Sequence, residues 1–201
     1  VYNVEQICNL ISENKPDLVV VDFMQIISAV GKFENVRNRI DYISSLFKRT
    51  AKSSECVIIV LSQLSRIGKD APTMSDLKES GGLEQDGDYI ALLHRPYVLN
   101  KGDNSIHPEE TELLLDKNKF GRTGKVDLLF DLKHQKFYEQ DTWHESRIDR
   151  IENMVDNVRF ISEKDFDKCL EKTAEAAKDN KAEMIVVGYP KNMNNTIGER
   201  A

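Results

Sequence analysis

The period of apolar positions changes several times along the chain, and each change marks an element. Residues 4–13 read as a first helix. "PDLVVVD" (16–22) is a short continuous apolar run, opened by a proline and rich in β-branched residues. Such runs suit strands buried on both faces, as in parallel sheets. Val36, Ile40, Ile43, Phe47 and Ala51 then recur at steps of three or four, with Arg37, Arg39, Lys48, Arg49 and Lys52 mostly between them. That is an amphipathic helix over 36–53. "CVIIVLSQ" (56–63) repeats the first strand pattern, and "DYIALLH" (88–94) is a third strand. "TELLLDKNK" (111–119) and "KVDLLFD" (125–131) are a fourth and fifth, joined through "KFGRTG" (119–124). That link is too short for a helical crossover, so the pair is antiparallel. The pattern predicts an α/β fold: an open sheet with an antiparallel edge.

After Glu139 the pattern weakens. Residues 141–163 are polar and charged and read as a linker or a loosely docked helix. A helix over 166–179 and a strand over 184–187 follow, and Ser162 with Asp165 resembles a helix-start box. There is no internal repeat and no low-complexity tract. A fragment is expected from both ends, since the chain enters a helix almost at once and closes on "TIGERA".

Composition narrows the class. The 201 residues are 40% hydrophobic and 31% charged, as in ordinary globular domains. No apolar run reaches the roughly 18–20 residues of a membrane helix, and no secretory signal is visible. Three distant cysteines (Cys8, Cys56, Cys169) and four scattered histidines show no metal-ligand spacing and no disulfide framework. The net charge of −6 is split evenly, −3 for residues 1–140 and −3 for 141–201. Neither part is a general nucleic-acid-binding surface, so any such contact must be local.

The candidate chemistry lies at strand ends. Open α/β sheets bind ligands outside the carboxyl ends of their strands. Asp22 ends the first strand and Gln63 ends the second. If these strands pair in parallel, their tips are neighbours. A carboxylate there can take a place around Mg²⁺, and a glutamine can hydrogen-bond a phosphate or a hydrolytic water. The alternative is that Asp22 caps the following turn.

Four stretches carry a resemblance: Asp22 in "VVVDFMQII", "SQLSR" (62–66), "SDLKESGGLEQDGD" (75–88) and "KNKFGRTGKVDLLF" (117–130). In order and spacing they resemble the C-terminal motor domain of DnaB-type replicative DNA helicases, over about residues 1–140. The resemblance implies a RecA-like, mostly parallel sheet with antiparallel edge strands. It also implies an ATP-dependent enzyme that uses ATP and Mg²⁺ and translocates on single-stranded DNA as a homohexameric ring. A primase and a loader are the further partners it implies, in a bacterial or phage cytoplasm. Asp22 falls on the Walker B aspartate that supports Mg²⁺·ATP. Gln63 falls on the glutamine that couples the γ-phosphate to the DNA-facing loops. Lys78, Glu79 and Gly81 fall on the central-channel loop that contacts the DNA backbone, where glycines let backbone N–H groups approach closely. Lys117 matches the first position of the family's Lys-x-Arg, whose arginine reaches the neighbouring subunit's γ-phosphate.

Two departures qualify the resemblance. Lys119 stands where the arginine is expected, which keeps the charge but loses the bidentate fork; Arg122 is a poorer substitute, on the other side of the turn. The phosphate loop GxxxxGK[ST] is not found in these 201 residues, and no glycine precedes Gly31. The chain alone is therefore expected neither to hydrolyse ATP nor to unwind DNA. A catalytically inactive DNA-binding or subunit-interaction fragment is the alternative, and a YqgF-type nuclease is a less favoured one.

The C-terminal stretch "IVVGYPKNMNNTIGERA" (185–201) resembles part of a YqgF (RuvX) putative Holliday-junction resolvase, with an RNase H-like fold. Glu183 and Glu199 do not match the metal-binding carboxylates of that family, so no nuclease site is expected. The expected organisation is a partial motor domain (1–140), a linker (141–163) and a small α/β appendage (164–201).

Overall fold

The computed structural model describes residues 2–65, 71–77, 81–99, 105–139 and 166–189. Helix α1 (Val4–Asn14) starts in a capping box. The Asn3 side chain accepts from the Gln6 N–H at 2.9 Å, and the Gln6 side chain accepts from the Asn3 N–H at 3.1 Å. Two otherwise orphaned donors are thus satisfied. The helix stops at Lys15, whose left-handed φ of 45° lets its N–H reach back to the Ile11 carbonyl. Helix α2 (Val36–Ser54) is built the same way, with Asn35 as N-cap and Glu55 in the left-handed region at its end.

The predicted strands form: β1 (Leu18–Val21), β2 (Val57–Gln63), β3 (Tyr89–His94), β4 (Glu110–Asn118) and β5 (Gly124–Asp131). The periodicity had not indicated β6 (Lys136–Glu139), nor the short helices α3 (Gly81–Asp86) and α4 (Pro96–Leu99). Helix α5 (Phe166–Asp179) and strand β7 (Met184–Tyr189) complete the described elements.

All seven strands belong to one sheet, ordered β1-β2-β7-β3-β4-β5-β6. β1, β2, β7 and β3 run parallel, while β3-β4, β4-β5 and β5-β6 are antiparallel. Half of the pairings are therefore parallel. The 119–124 link closes an antiparallel pair, as its length requires.

The α5–β7 segment is not an appendage beside this sheet, as expected from the sequence; its strand lies in the sheet's interior. A lone helix and strand bury too little surface to be stable, and the space between β2 and β3 offers hydrogen bonds on both sides. The 141–163 linker and the Ser162/Asp165 box lie outside the described residues.

The sheet is covered on both faces. Ile40, Ile43 and Phe47 of α2 are fully buried against Ile58, Val60, Ile90, Met184 and Val186. Truncating Phe47 to alanine would cost about 3–5 kcal/mol, as large core truncations do. On the other face Ala177 of α5 packs with Val57, Tyr89 and Ala182, and Leu18, Leu115 and Ile185 border them. Alternate residues of β2 thus serve opposite layers, which explains its unbroken apolar run. No described helix is long and apolar enough to cross a membrane.

Candidate functional site

β1 and β2 are parallel neighbours, with Val21 opposite Val60. Their carboxyl ends therefore share one sheet edge, and Asp22 and Gln63 lie there together. Asp22 directly follows β1 and is exposed. The Asp22–Phe23 peptide is cis. Among the described residues no donor takes the Asp22 carboxylate. Gln63 is buried, and Tyr189 of β7 is its partner in register.

A residue that the sequence reading passed over holds this edge. Gln25 lies in the one-turn 3₁₀ helix Met24–Ile26 after Asp22. Its side-chain amide donates to the Ser62 hydroxyl at 2.9 Å, and its Oε1 accepts from the Gln63 N–H at 3.2 Å. Arg39 of α2 donates to the Gln25 carbonyl at 3.2 Å. One side chain thus ties the turn after Asp22 to the end of β2. A polar residue inside the apolar stretch "FMQII" was the signal available in the sequence.

Lys78 and Glu79 lie outside the described residues, but both flanks of their segment are anchored. Leu64 bridges Leu77, and the Ser65 N–H donates to the Asp76 carbonyl at 2.6 Å. The Met74 N–H donates to Asp116 at 2.7 Å. Beyond them, Gly81 opens α3 beside α2. A Cβ on Gly81 would lie 2.6 Å from the flexible Arg37 tip, whereas one on Gly82 would lie 2.9 Å from the Asp41 Cα. Gly82 also donates its N–H to Asp41 at 2.7 Å. That N–H is thus engaged inside the fold.

Lys117 and Lys119 are not near Asp22. β4 is antiparallel to β3, with Tyr89 opposite Asn118, so the β4 end lies at the amino edge of the parallel strands. The Lys117 Nζ donates to the Glu84 and Gln85 carbonyls at 2.7 and 3.2 Å, at the end of α3. Burial, assisted by the charge of Lys119, holds its pKa below the ordinary lysine value despite Asp88. The Lys119 Nζ meets Asp88 at 3.1 Å, yet its side chain stays 55% exposed.

Asp88 is the centre of this amino edge. Its buried carboxylate accepts from Lys48 Nζ at 2.5 Å, Lys119 Nζ at 3.1 Å, and the backbone N–H groups of Glu183 at 2.9 Å and Met184 at 3.2 Å. Lys48 also meets Glu183 at 2.9 Å. Burial disfavours the charge on Asp88, but these donors outweigh it and hold its pKa below the usual carboxylate value. Burial likewise works against Lys48, and the two carboxylates overcome it and raise its pKa.

Among the described residues no group of three or more His, Cys, Asp or Glu could hold a metal ion. Any cation at Asp22 would therefore take most of its ligands from phosphate oxygens and water, as Mg²⁺ commonly does in nucleotide sites. The exposed carboxylate, which takes no donor among the described residues, fits that role.

The profile of the DnaB-like helicase C-terminal domain matches residues 2–139. A probable replicative DNA helicase of Trieres chinensis is 35% identical over 136 residues, covering 65% of this chain and 30% of that protein. The replicative DNA helicase DnaB of Geobacillus stearothermophilus is 36% identical over 125 residues, covering 60% of this chain and 27% of that protein. The chain thus spans less than a third of the length of these curated relatives. Among solved structures, a DnaB-like replicative helicase described with its interactions with primase superposes with a TM-score of 0.63 at 31% identity, covering 69% of this chain and 36% of that one. A second solved structure, of an ATPase domain, gives 0.62 at 31% identity, covering 69% and 52%. The family match ends at residue 139, and the YqgF resemblance of the C-terminal stretch gains no support.

Proposed function

The chain belongs to the DnaB-like helicase C-terminal domain family, and from that premise we propose that it is part of the ATP-driven motor of a replicative DNA helicase. The observation that carries the proposal is the parallel β1–β2 pair, which brings the exposed Asp22 and the clamped Gln63 to one edge. Asp22 would hold Mg²⁺ beside the phosphates of ATP, and the ion would neutralise charge on the transferring phosphoryl group. Gln63 would orient against the γ-phosphate, and Gln25 keeps its backbone in place.

The placement of Lys117 and Lys119 on the opposite edge supports a role in trans. One chain cannot bring them to its own Asp22, whereas a neighbouring subunit in a ring would receive them. Lys119 has the exposure that such a contact needs. Lys78, Glu79 and Gly81 would face single-stranded DNA between the two anchored flanks. A homohexamer, a primase and a loader are the partners this role entails.

The proposal is tested in two steps. The 201-residue chain is expected to bind a fluorescent oligo(dT) at low salt, and Lys78→Ala should weaken binding. The logarithmic salt slope should fall by about 0.7 per lost phosphate contact. Next, the chain is extended at its amino end by a segment carrying GxxxxGK[ST]. DNA-stimulated ATP hydrolysis should appear and vanish in Asp22→Ala. Hydrolysis that survives Asp22→Ala, or DNA binding indifferent to salt and to Lys78, would refute the assignment.

A further inference from the structure

α3 begins beside the first turns of α2 and is fastened to them. The Asp41 carboxylate of α2 accepts from the Gly82 N–H at 2.7 Å, and Ser44 donates its hydroxyl to Asp86 at 2.7 Å. Leu83, between these two points in the chain, is fully buried in the core. Arg39 holds the same stretch of α2 to the turn after β1, through the Gln25 carbonyl at 3.2 Å.

Arg37 stands at this junction. Its guanidinium lies across Gly81: a Cβ there would sit 2.6 Å from Nη2, 3.6 Å from Cζ and 3.7 Å from Nε. Any side chain at position 81 would therefore displace it. The arginine side chain is 64% exposed, and among the described residues its ion pair is a loose one, Nε to Asp41 Oδ2 at 4.0 Å. Lys117, at the other end of α3, is in the contrary state, with its Nζ taken by the Glu84 and Gln85 carbonyls. Nor does Arg37 serve its own helix. A cation in the first turn opposes the helix dipole, and α2 has no acidic residue there to offset it.

We propose that Arg37 is a phosphate contact for single-stranded DNA, and that position 81 is glycine in order to seat this guanidinium. The proposal rests on the motor reading, which places Gly81 against the strand. The chain carries a net charge of −6, so a strand can be held only where an exposed, weakly paired cation stands. The planar fork of Arg37 offers donors to a phosphodiester whatever the base, as a surface that accepts any sequence requires. α2 is anchored in the core by Ile40, Ile43 and Phe47, so the cation is presented from a rigid support.

The test uses the full 201-residue chain and a fluorescent oligo(dT) over a series of salt concentrations. Arg37→Ala should weaken binding about fivefold to tenfold at low salt and lower the logarithmic salt slope by about 0.7. Arg37→Lys keeps the charge and should keep the slope. Gly81→Ala should weaken binding in the parent and add nothing in the Arg37→Ala background, because both changes remove one contact. Arg37 is exposed, so its variants leave the fold unaltered, and equal urea midpoints verify this. Unchanged affinity and slope in Arg37→Ala overturn the proposal; if Lys78→Ala still weakens binding, the motor reading survives. An equal loss from Gly81→Ala in both backgrounds also overturns it, since the glycine then acts without Arg37. A parent chain that binds no oligo(dT) overturns the proposal and the DNA contact of the motor reading together.

Discussion

The two edges of the parallel strands hold their carboxylates in opposite ways. At the amino edge, Asp88 is buried and accepts from two lysines and two backbone N–H groups. At the carboxyl edge, Asp22 is exposed, and among the described residues no donor takes it. Asp88 has its donors built into the fold and serves to join α2, β4 and β7. Asp22 has capacity left for a ligand. Two aspartates of one sheet thus differ by what surrounds them, one engaged by the fold and one open, although both stand beside apolar strands in the sequence.

The largest way to break this contrast is Asp88→Ala. It strands Lys48 without its main partner and leaves the Glu183 and Met184 N–H groups at the start of β7 unpaired, so a loss of about 3–5 kcal/mol is expected. Urea unfolding followed by circular dichroism measures it. A loss below about 1 kcal/mol would mean that the cluster is not the joint described.

The same group predicts an acid limit. Its folded pKa lies below the unfolded value of about 3.9. Its stabilisation is therefore complete above the ordinary carboxylate range and fades as the pH falls below about 4. Lys48, whose pKa is raised, loses its share only at strongly alkaline pH. Asp88→Asn should flatten the stability profile on the acid side, as thermal melts from neutral to acid pH would reveal.

Next in size is Gly82→Ala, which pushes a Cβ onto the Asp41 backbone. Overpacking of this kind costs about 1–3 kcal/mol. Gly81→Ala meets only the flexible Arg37 tip and should cost less. If Gly81→Ala is the more damaging in the same unfolding assay, the close approach of α3 to α2 is misassigned.

Gln25→Ala should cost about 1 kcal/mol, since it removes two hydrogen bonds at the end of β2. Its sharper signature is local: faster hydrogen exchange at the Gln63 amide with β3 unchanged. The smallest effect belongs to Asp22→Ala, which should leave the unfolding free energy within about 0.5 kcal/mol of the parent. A large destabilisation would make Asp22 a turn cap after all, the reading left open by the sequence pattern.

Much of the fold was legible because periodicity reports burial. The unbroken apolar run at 57–60 follows from a strand flanked on both sides, and the steps of three and four through Ile40 and Phe47 from one buried helix face, whereas β1 with its similar run stands at the sheet's edge and leaves Val20 exposed. The candidate site was half legible. Asp22 and Gln63 stand out as polar residues at the ends of apolar runs. Gln25, Asp88 and Lys48 do not, because their partners lie about 40 to 100 residues away in the chain.

By itself, the sequence determined the strands and helices of the first 131 residues that periodicity can mark, their antiparallel closing pair and the family. These depend on neighbours close in the chain, or on motifs that are contiguous. Only the tertiary structure decided that β7 enters the middle of the sheet, that Gly82 spends its N–H on Asp41, and that Lys117 and Lys119 lie across the sheet from Asp22. Strand order is set by which edges can satisfy their hydrogen bonds and bury both faces together, and that condition joins residues the linear pattern keeps apart.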